Sequence, residues 1–161
     1  LIIYKPGQDI FTSTAYFLVN PVNNNKDNLH FAKNHKLYQE FVSKTNPKGG
    51  DVLWYHPEQK DLIAGERGLI NICIKDGQPK TKLNYWTVAI KKIVKQIKEV
   101  YSEGLYPTPL LAISIVNEEL DESELLKAIT TSLKEIKFDV EIYTNKLSST
   151  SKPIEEIIES K

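Results

Sequence analysis

The sequence predicts an α/β domain, with helices on both faces of a mixed, mostly parallel central sheet in a three-layer α/β/α arrangement. Three observations carry this. The runs AYFLV (15–19), GLINICI (68–74) and LLAISIV (110–116) are continuously apolar, as strands buried on both faces must be. The stretches between them repeat apolar residues with helical spacing. Strands and helices alternate along the chain, which is the pattern of parallel strands joined by crossovers.

The elements follow in order. LIIY (1–4) is a short β-rich run that ends at the Pro6-Gly7 turn. AYFLV (15–19) is the first buried strand. Leu29, Ala32, Leu37, Tyr38, Phe41 and Val42 recur as one face of a helix, and Pro47, Gly49 and Gly50 break the chain after it. DVLWYH (51–56) and GLINICI (68–74) are strands, the second closed by Asp76-Gly77 and Pro79. The clearest helix spans 84–101. Val88, Ile90, Ile93, Val94, Ile97, Val100 and Tyr101 form its apolar stripe, lysines line the other side, and Gly104 stops it. LLAISIV (110–116) is a buried strand. A helix over 121–133 turns Leu125, Leu126, Ile129 and Leu133 inward, and FDVEIY (138–143) alternates as a strand. SSTSKP (148–153) is a polar linker, and PIEEIIES (153–160) is a short amphipathic helix with proline at its start. The order is β-β-α-β-β-α-β-α-β-α. It divides into one domain over 1–147 and a tail over 148–161, with no internal repeat.

Composition excludes several classes of function. The 161 residues suffice for one core, and 21 basic residues balance 21 acidic ones. A neutral chain has no general attraction to nucleic acid or anionic lipid. A single cysteine, Cys73, rules out an internal disulfide and a cysteine-based zinc site, and within LINICIK it reads as a buried strand thiol. His30, His35 and His56 lack metal-ligand spacing. No segment resembles a signal peptide or a membrane span, so the expected location is intracellular, in the cytoplasm. The chain starts at Leu1 and contains no methionine, which leaves its completeness open. No cofactor or metal is expected.

Parallel α/β sheets bind ligands beyond the carboxyl ends of their strands. The loops after residues 19, 74 and 116 are therefore the ones to inspect. There the chain reads Leu18-Val19-Asn20-Pro21-Val22-Asn23, Ile74-Lys75 and Leu120-Asp121, preceded by Gly7-Gln8-Asp9-Ile10. In order and spacing these pieces resemble the macrodomain family, the ADP-ribose-binding α/β/α module. The branch most similar contains ADP-ribosyl hydrolases that act on modified glutamate or modified DNA thymidine. The resemblance runs through roughly residues 2–145. It implies that Asp9 accepts a hydrogen bond from the adenine amino group with Ile10 beside it, and that Asn20 and Asn23 brace a ribose-binding loop. It further implies that Lys75 attacks or polarises the anomeric carbon of the distal ribose, with Asp121 assisting proton transfer. The implied partner is ADP-ribose or a related nucleotide, carried on a modified protein or nucleic acid.

The chain departs from the family in two places. Both glycine-rich phosphate loops are missing: NNNKDN follows the first motif and VNEELDESEL follows the strand at 110–116. Glycine lets backbone N–H groups approach a diphosphate closely. The carboxylates Glu118, Glu119, Asp121, Glu122 and Glu124 instead complement the dipole of the next helix. Each site residue also has a structural reading. Asn20 and Asn23 suit an Asx-turn bent by Pro21, Lys75 a solvated turn, and Asp121 with Glu124 a helix cap. Trp54-Tyr55 and Tyr85-Trp86 suit either base stacking or the core. The sequence thus supports two functions. One is an ADP-ribose-binding ADP-ribosyl hydrolase using a lysine and an aspartate. The other is a degenerate macrodomain without ligand binding, serving as a protein- or nucleic-acid-interaction module.

Overall fold

The computed structural model describes residues 2–23, 47–55, 68–75, 82–100, 109–115, 120–144 and 152–153. The strands are β1 (Ile2–Pro6), β2 (Phe17–Asn23), β3 (Val52–Tyr55), β4 (Gly68–Lys75), β5 (Leu111–Ile115), β6 (Val140–Thr144) and β7 (Lys152–Pro153). The helices are α1 (Leu83–Val100) and α2 (Glu122–Ser132), with a single 3-10 turn at Ile10–Thr12. The helix expected over 29–42, the three histidines, the Asp76-Gly77 turn, Glu118, Glu119 and most of 148–161 lie outside the described residues. Within that tail, Lys152–Pro153 pair antiparallel with β1.

One sheet holds all seven described strands in the order β3-β4-β2-β5-β6-β1-β7. Strands β4, β2, β5, β6 and β1 pair in parallel, and β3 and β7 close the two edges in antiparallel sense. The expected mixed, mostly parallel sheet is thus observed. β2, β4, β5 and β6 lie in the interior of the sheet, and the described side chains of β4 and β5 are almost all buried, matching their uninterrupted apolar sequence.

The larger core cluster joins one sheet face to both helices. Phe17, Val19, Ile70, Ile72, Leu111, Ile113, Val140 and Ile142 meet Ile90, Ile93 and Ile97 of α1 and Leu125, Leu126 and Ile129 of α2. Each such aliphatic side chain contributes about 1.5–3 kcal/mol by leaving water. The stripe of α1 differs from expectation at two positions. Val88 is 40% exposed, whereas Trp86 is fully buried. Val88 instead lies beside the backbone of Gly50, where an added Cβ would come within 2.8 Å of its Cγ1. The second sheet face carries a smaller cluster of Ile10, Ala15, Leu18, Leu69, Ala112 and Tyr143, with Leu53 packed against it. Ile10 and Ala15 come from the connection that descends across this face from β1 to β2. Cys73 is a buried thiol outside any disulfide, as expected.

Candidate functional site at the carboxyl edge of the sheet

Five parallel strands put five carboxyl ends on one edge of the sheet. The chain moves from β2 to β4 on one side and then crosses back to β5 on the other. The strand order therefore reverses between β2 and β5, the place where open α/β sheets form a ligand crevice. Among the described residues the ladder parts there: β2 pairs with β5 through Phe17, Leu18 and Val19, yet it stays paired with β4 as far as Asn23. Proline explains the parting. Phe17 N donates to Leu110 O at 3.0 Å, so the N–H groups of alternate residues 17, 19 and 21 are directed toward β5. Pro21 has no N–H to give. The strand therefore runs past the Asx-turn position expected for Asn20, because its β4 side remains intact.

Asn20 and Asn71 stand opposite each other on β2 and β4, both with no exposed surface. Asn20 Nδ2 donates to Asn71 Oδ1 at 2.8 Å, while Asn20 Oδ1 and Asn71 Nδ2 have no partner. Asn71 is not among the residues that the motifs point to, and its available signal is a lone amide inside the apolar run LINICI. Further along the same pair of strands, Asn23 and Lys75 are register partners across a bulge. The structure thus brings two of the expected residues side by side at the strand ends. Lys75 is partly exposed there. Beside it, Gly50 N donates to Cys73 O at 2.7 Å, which holds the Gly49-Gly50 turn against the end of β4.

Asp9 and Ile10 lie on the 3-10 turn after β1. Thr12 N and Thr12 Oγ1 both donate to Asp9 O, at 3.0 and 2.6 Å, and the Asp9 residue is exposed near the carboxyl edge. Ile10 is fully buried and acts as the apolar foot of the turn. Behind it, Glu141 is only 7% exposed. Its Oε1 accepts from Ser13 Oγ at 2.5 Å and from the Tyr143 hydroxyl at 3.0 Å, and its Oε2 pairs with Lys5 Nζ at 2.6 Å. Lys5 Nζ also lies 5.6 Å from the centre of the Tyr143 ring. Burial alone would lower the pKa of Lys5, but the hydrogen bond and charge of Glu141 outweigh it and raise the pKa above its ordinary 10.5. Burial raises the Tyr143 hydroxyl above its ordinary 10.0.

Asp121 follows the carboxyl end of β5 and is exposed. Its Oδ1 accepts from Glu124 N at 2.9 Å, so it is the N-cap of α2. The next residue is tied to the sheet: the Tyr4 hydroxyl donates to Glu122 Oε1 at 2.7 Å and lies 3.3 Å from Thr144 Oγ1. Of the aromatic residues, the two tryptophans belong to the core: Trp86 is buried, and Trp54 packs edge-on against Phe17 with ring centres 5.1 Å apart. A groove of about 610 Å³ lies between the C-terminal halves of α1 and α2, bordered by Lys91, Lys95, Lys98 and Lys134 together with Glu99 and Glu135. Because α1 leads from the end of β4 back to the start of β5, this groove is at the opposite end of the molecule from the strand carboxyl ends. Among the described residues, no three His, Cys, Asp or Glu side chains gather to hold a metal ion, and no helix is long and apolar enough to cross a membrane.

No protein-family model and no curated protein sequence matches the chain. Solved structures do. The macrodomain of Thermus aquaticus DarG superposes with a TM-score of 0.66 at 16% identity, over 91% of this chain and 98% of that one. Thermosipho africanus DarTG, solved in complex with ADP-ribose, superposes with a TM-score of 0.65 at 16% identity. That match covers 84% of this chain and 39% of the larger one. The Oceanobacillus iheyensis macrodomain, with MES bound, gives 0.61 at 13% identity over 99% of this chain and 87% of that one. With its sheet order and a superposition spanning a whole macrodomain, this chain has the macrodomain fold, three layers in α/β/α order around a mixed, mostly parallel sheet.

Proposed function

We propose that the protein binds ADP-ribose, or a nucleotide related to it, in the crevice where β2 and β5 part. We propose further that it removes ADP-ribose from a modified macromolecule. The parting at Pro21 is the observation that carries this reading. It opens the sheet at its switch point, where Asn20 and Asn23 belong to β2, and Lys75 stands beside Asn23 on β4. In this reading Asp9 accepts from the adenine amino group, beside the turn anchored by Ile10. Asn20 and Asn23 hold the ribose loop. The Lys75 amine attacks the anomeric carbon, the bond to the macromolecule breaks, and a Schiff base with the opened sugar is then hydrolysed by water. Asp121 carries the proton. DarTG, which was solved with ADP-ribose, lends support through its shared fold.

A second reading has its own observation in favour. Asp121 already caps α2, and Glu122 and Glu124 occupy the first turn of that helix. An anion seeking that helix terminus meets carboxylates, which suits a domain that has given up its nucleotide and docks on a protein or nucleic acid. Calorimetric titration with ADP-ribose, alongside thermal unfolding, separates the two. Ligand at about 100 times its dissociation constant is expected to stabilise the fold by roughly 2.7 kcal/mol. No heat and no shift at millimolar ligand would sink the nucleotide reading. Given binding, Lys75→Ala is expected to abolish release of ADP-ribose while the variant stays folded. Turnover that survives this change would remove Lys75 from the mechanism.

A further inference from the structure

Glu141 is the one buried carboxylate among the described residues, and nothing in the proposed chemistry uses it. A buried ion pair gains little stability over apolar packing, so stability alone does not explain why it is there. What it provides is direction. Ala112, Leu18 and Tyr143 give the β1–β2 connection an apolar floor for Ile10 and Ala15, and apolar contact is non-directional. The hydrogen bonds of the Glu141 carboxylate are directional. Lys5 holds one oxygen, and Ser13 and Tyr143 donate to the other. Ser13 Oγ also accepts from Ala15 N at 3.1 Å, so this hydroxyl is fixed from both sides.

From Ser13 the constraint runs back along the turn. Ser13 N donates to Ile10 O at 3.0 Å, and Thr12 N donates to Asp9 O at 3.0 Å. At its other end the turn is pinned where Gly7 N donates to Thr144 O at 2.9 Å. Asp9 therefore lies within a short segment tied to β6 at both ends. We propose that Glu141, acting through Ser13, is a positioning residue that aims Asp9 and thereby sets selectivity for the base of the bound nucleotide. The inference rests on the nucleotide-binding reading above. The selected ligand is a nucleotide whose base offers an exocyclic amino group, because a carboxylate at Asp9 accepts from such a donor.

The test compares the affinities of ADP-ribose and its hypoxanthine analogue, which lacks that amine, for the full chain and its variants. Wild type is expected to prefer ADP-ribose by about tenfold or more, as one hydrogen bond to a charged acceptor is worth. Asp9→Ala is expected to bring the ratio close to one. Ser13→Ala is expected to do the same without touching the ligand, Ser13→Thr to retain the preference, and Asp9→Ala with Ser13→Ala to lose no more than either change alone. Thermal unfolding reports that each variant is folded, and Ser13→Ala serves if Glu141→Gln does not fold. A preference that disappears in Asp9→Ala but persists in folded Ser13→Ala and Glu141→Gln overturns the positioning role and leaves the nucleotide reading intact. A wild type that binds neither ligand overturns both.

Discussion

The Asn20–Asn71 pair shows what a single polar residue can demand of a sheet interior. Asn71→Ala takes away the acceptor of Asn20 Nδ2 in a fully buried setting and is expected to cost about 1–3 kcal/mol. Replacing both with leucine is expected to recover most of that loss. Urea denaturation of Asn20→Leu, Asn71→Leu and the double leucine variant measures the coupling, and purely additive losses would mean that the bond contributes nothing. Asn20 was legible in the sequence because the NPVN motif drew attention to it. Asn71 was not, because an apolar strand pattern says which face a residue takes and leaves its cross-strand partner unstated. Glu141 was hidden in the same way inside an alternating strand. Its cluster also gives a pH dependence. Lys5 and Tyr143 both have folded pKa values raised above their ordinary 10.5 and 10.0. The protonated forms are the ones favoured by folding, so the contribution is complete below about pH 10 and is lost as pH rises through the raised values. Alkaline unfolding monitored by circular dichroism is expected to start at lower pH in wild type than in a Lys5→Met, Glu141→Leu, Tyr143→Phe variant that folds.

At the scale of the element, the question is whether Asp121 serves its helix or a substrate. Asparagine caps a helix about as well as aspartate does, but carries no base. Asp121→Asn is therefore expected to leave the melting temperature unchanged, whereas Asp121→Ala is expected to cost about 1 kcal/mol. In the enzyme reading both lose ADP-ribose release. Unchanged turnover in folded Asp121→Asn would make the residue a cap alone. The Gly49-Gly50 turn offers a second check. A Cβ at Gly49 would lie 2.4 Å from the Tyr85 ring, and Gly50 holds φ +94, which disfavours any side chain. Gly49→Ala is expected to lower the melting temperature by several degrees, and adding Tyr85→Ala is expected to relieve the clash without restoring the lost packing. Most of the described elements were legible because their apolar periods are long and unmixed. β2 ran longer than its apolar run suggested, because pairing on one side is enough to keep Asn20–Asn23 extended. Pro21, which suits a bend in the sequence, instead lies inside β2 and offers no N–H toward β5.

Across the whole molecule, alternation of strands and helices announced the class of fold, and no local pattern announced the order of the strands. That order is a matter of distant pairing. β2 and β4 meet through residues 51 apart, Asn20 and Asn71. β1 sits between β6 and β7, and Tyr4 reaches Thr144 across 140 residues. Contacts of long sequence separation close the largest loops and are slow to form. During refolding, pulse-labelled amide exchange is expected to protect β2 and β4 before β1, and early protection of β1 would contradict this. The position of β1 also bears on biosynthesis. This strand leaves the ribosome before every other described element, yet the neighbours that cover its two edges follow all the other described elements. Until they arrive, IIYKP presents two open strand edges to the cell, and a chaperone that shields extended apolar segments has its natural client there.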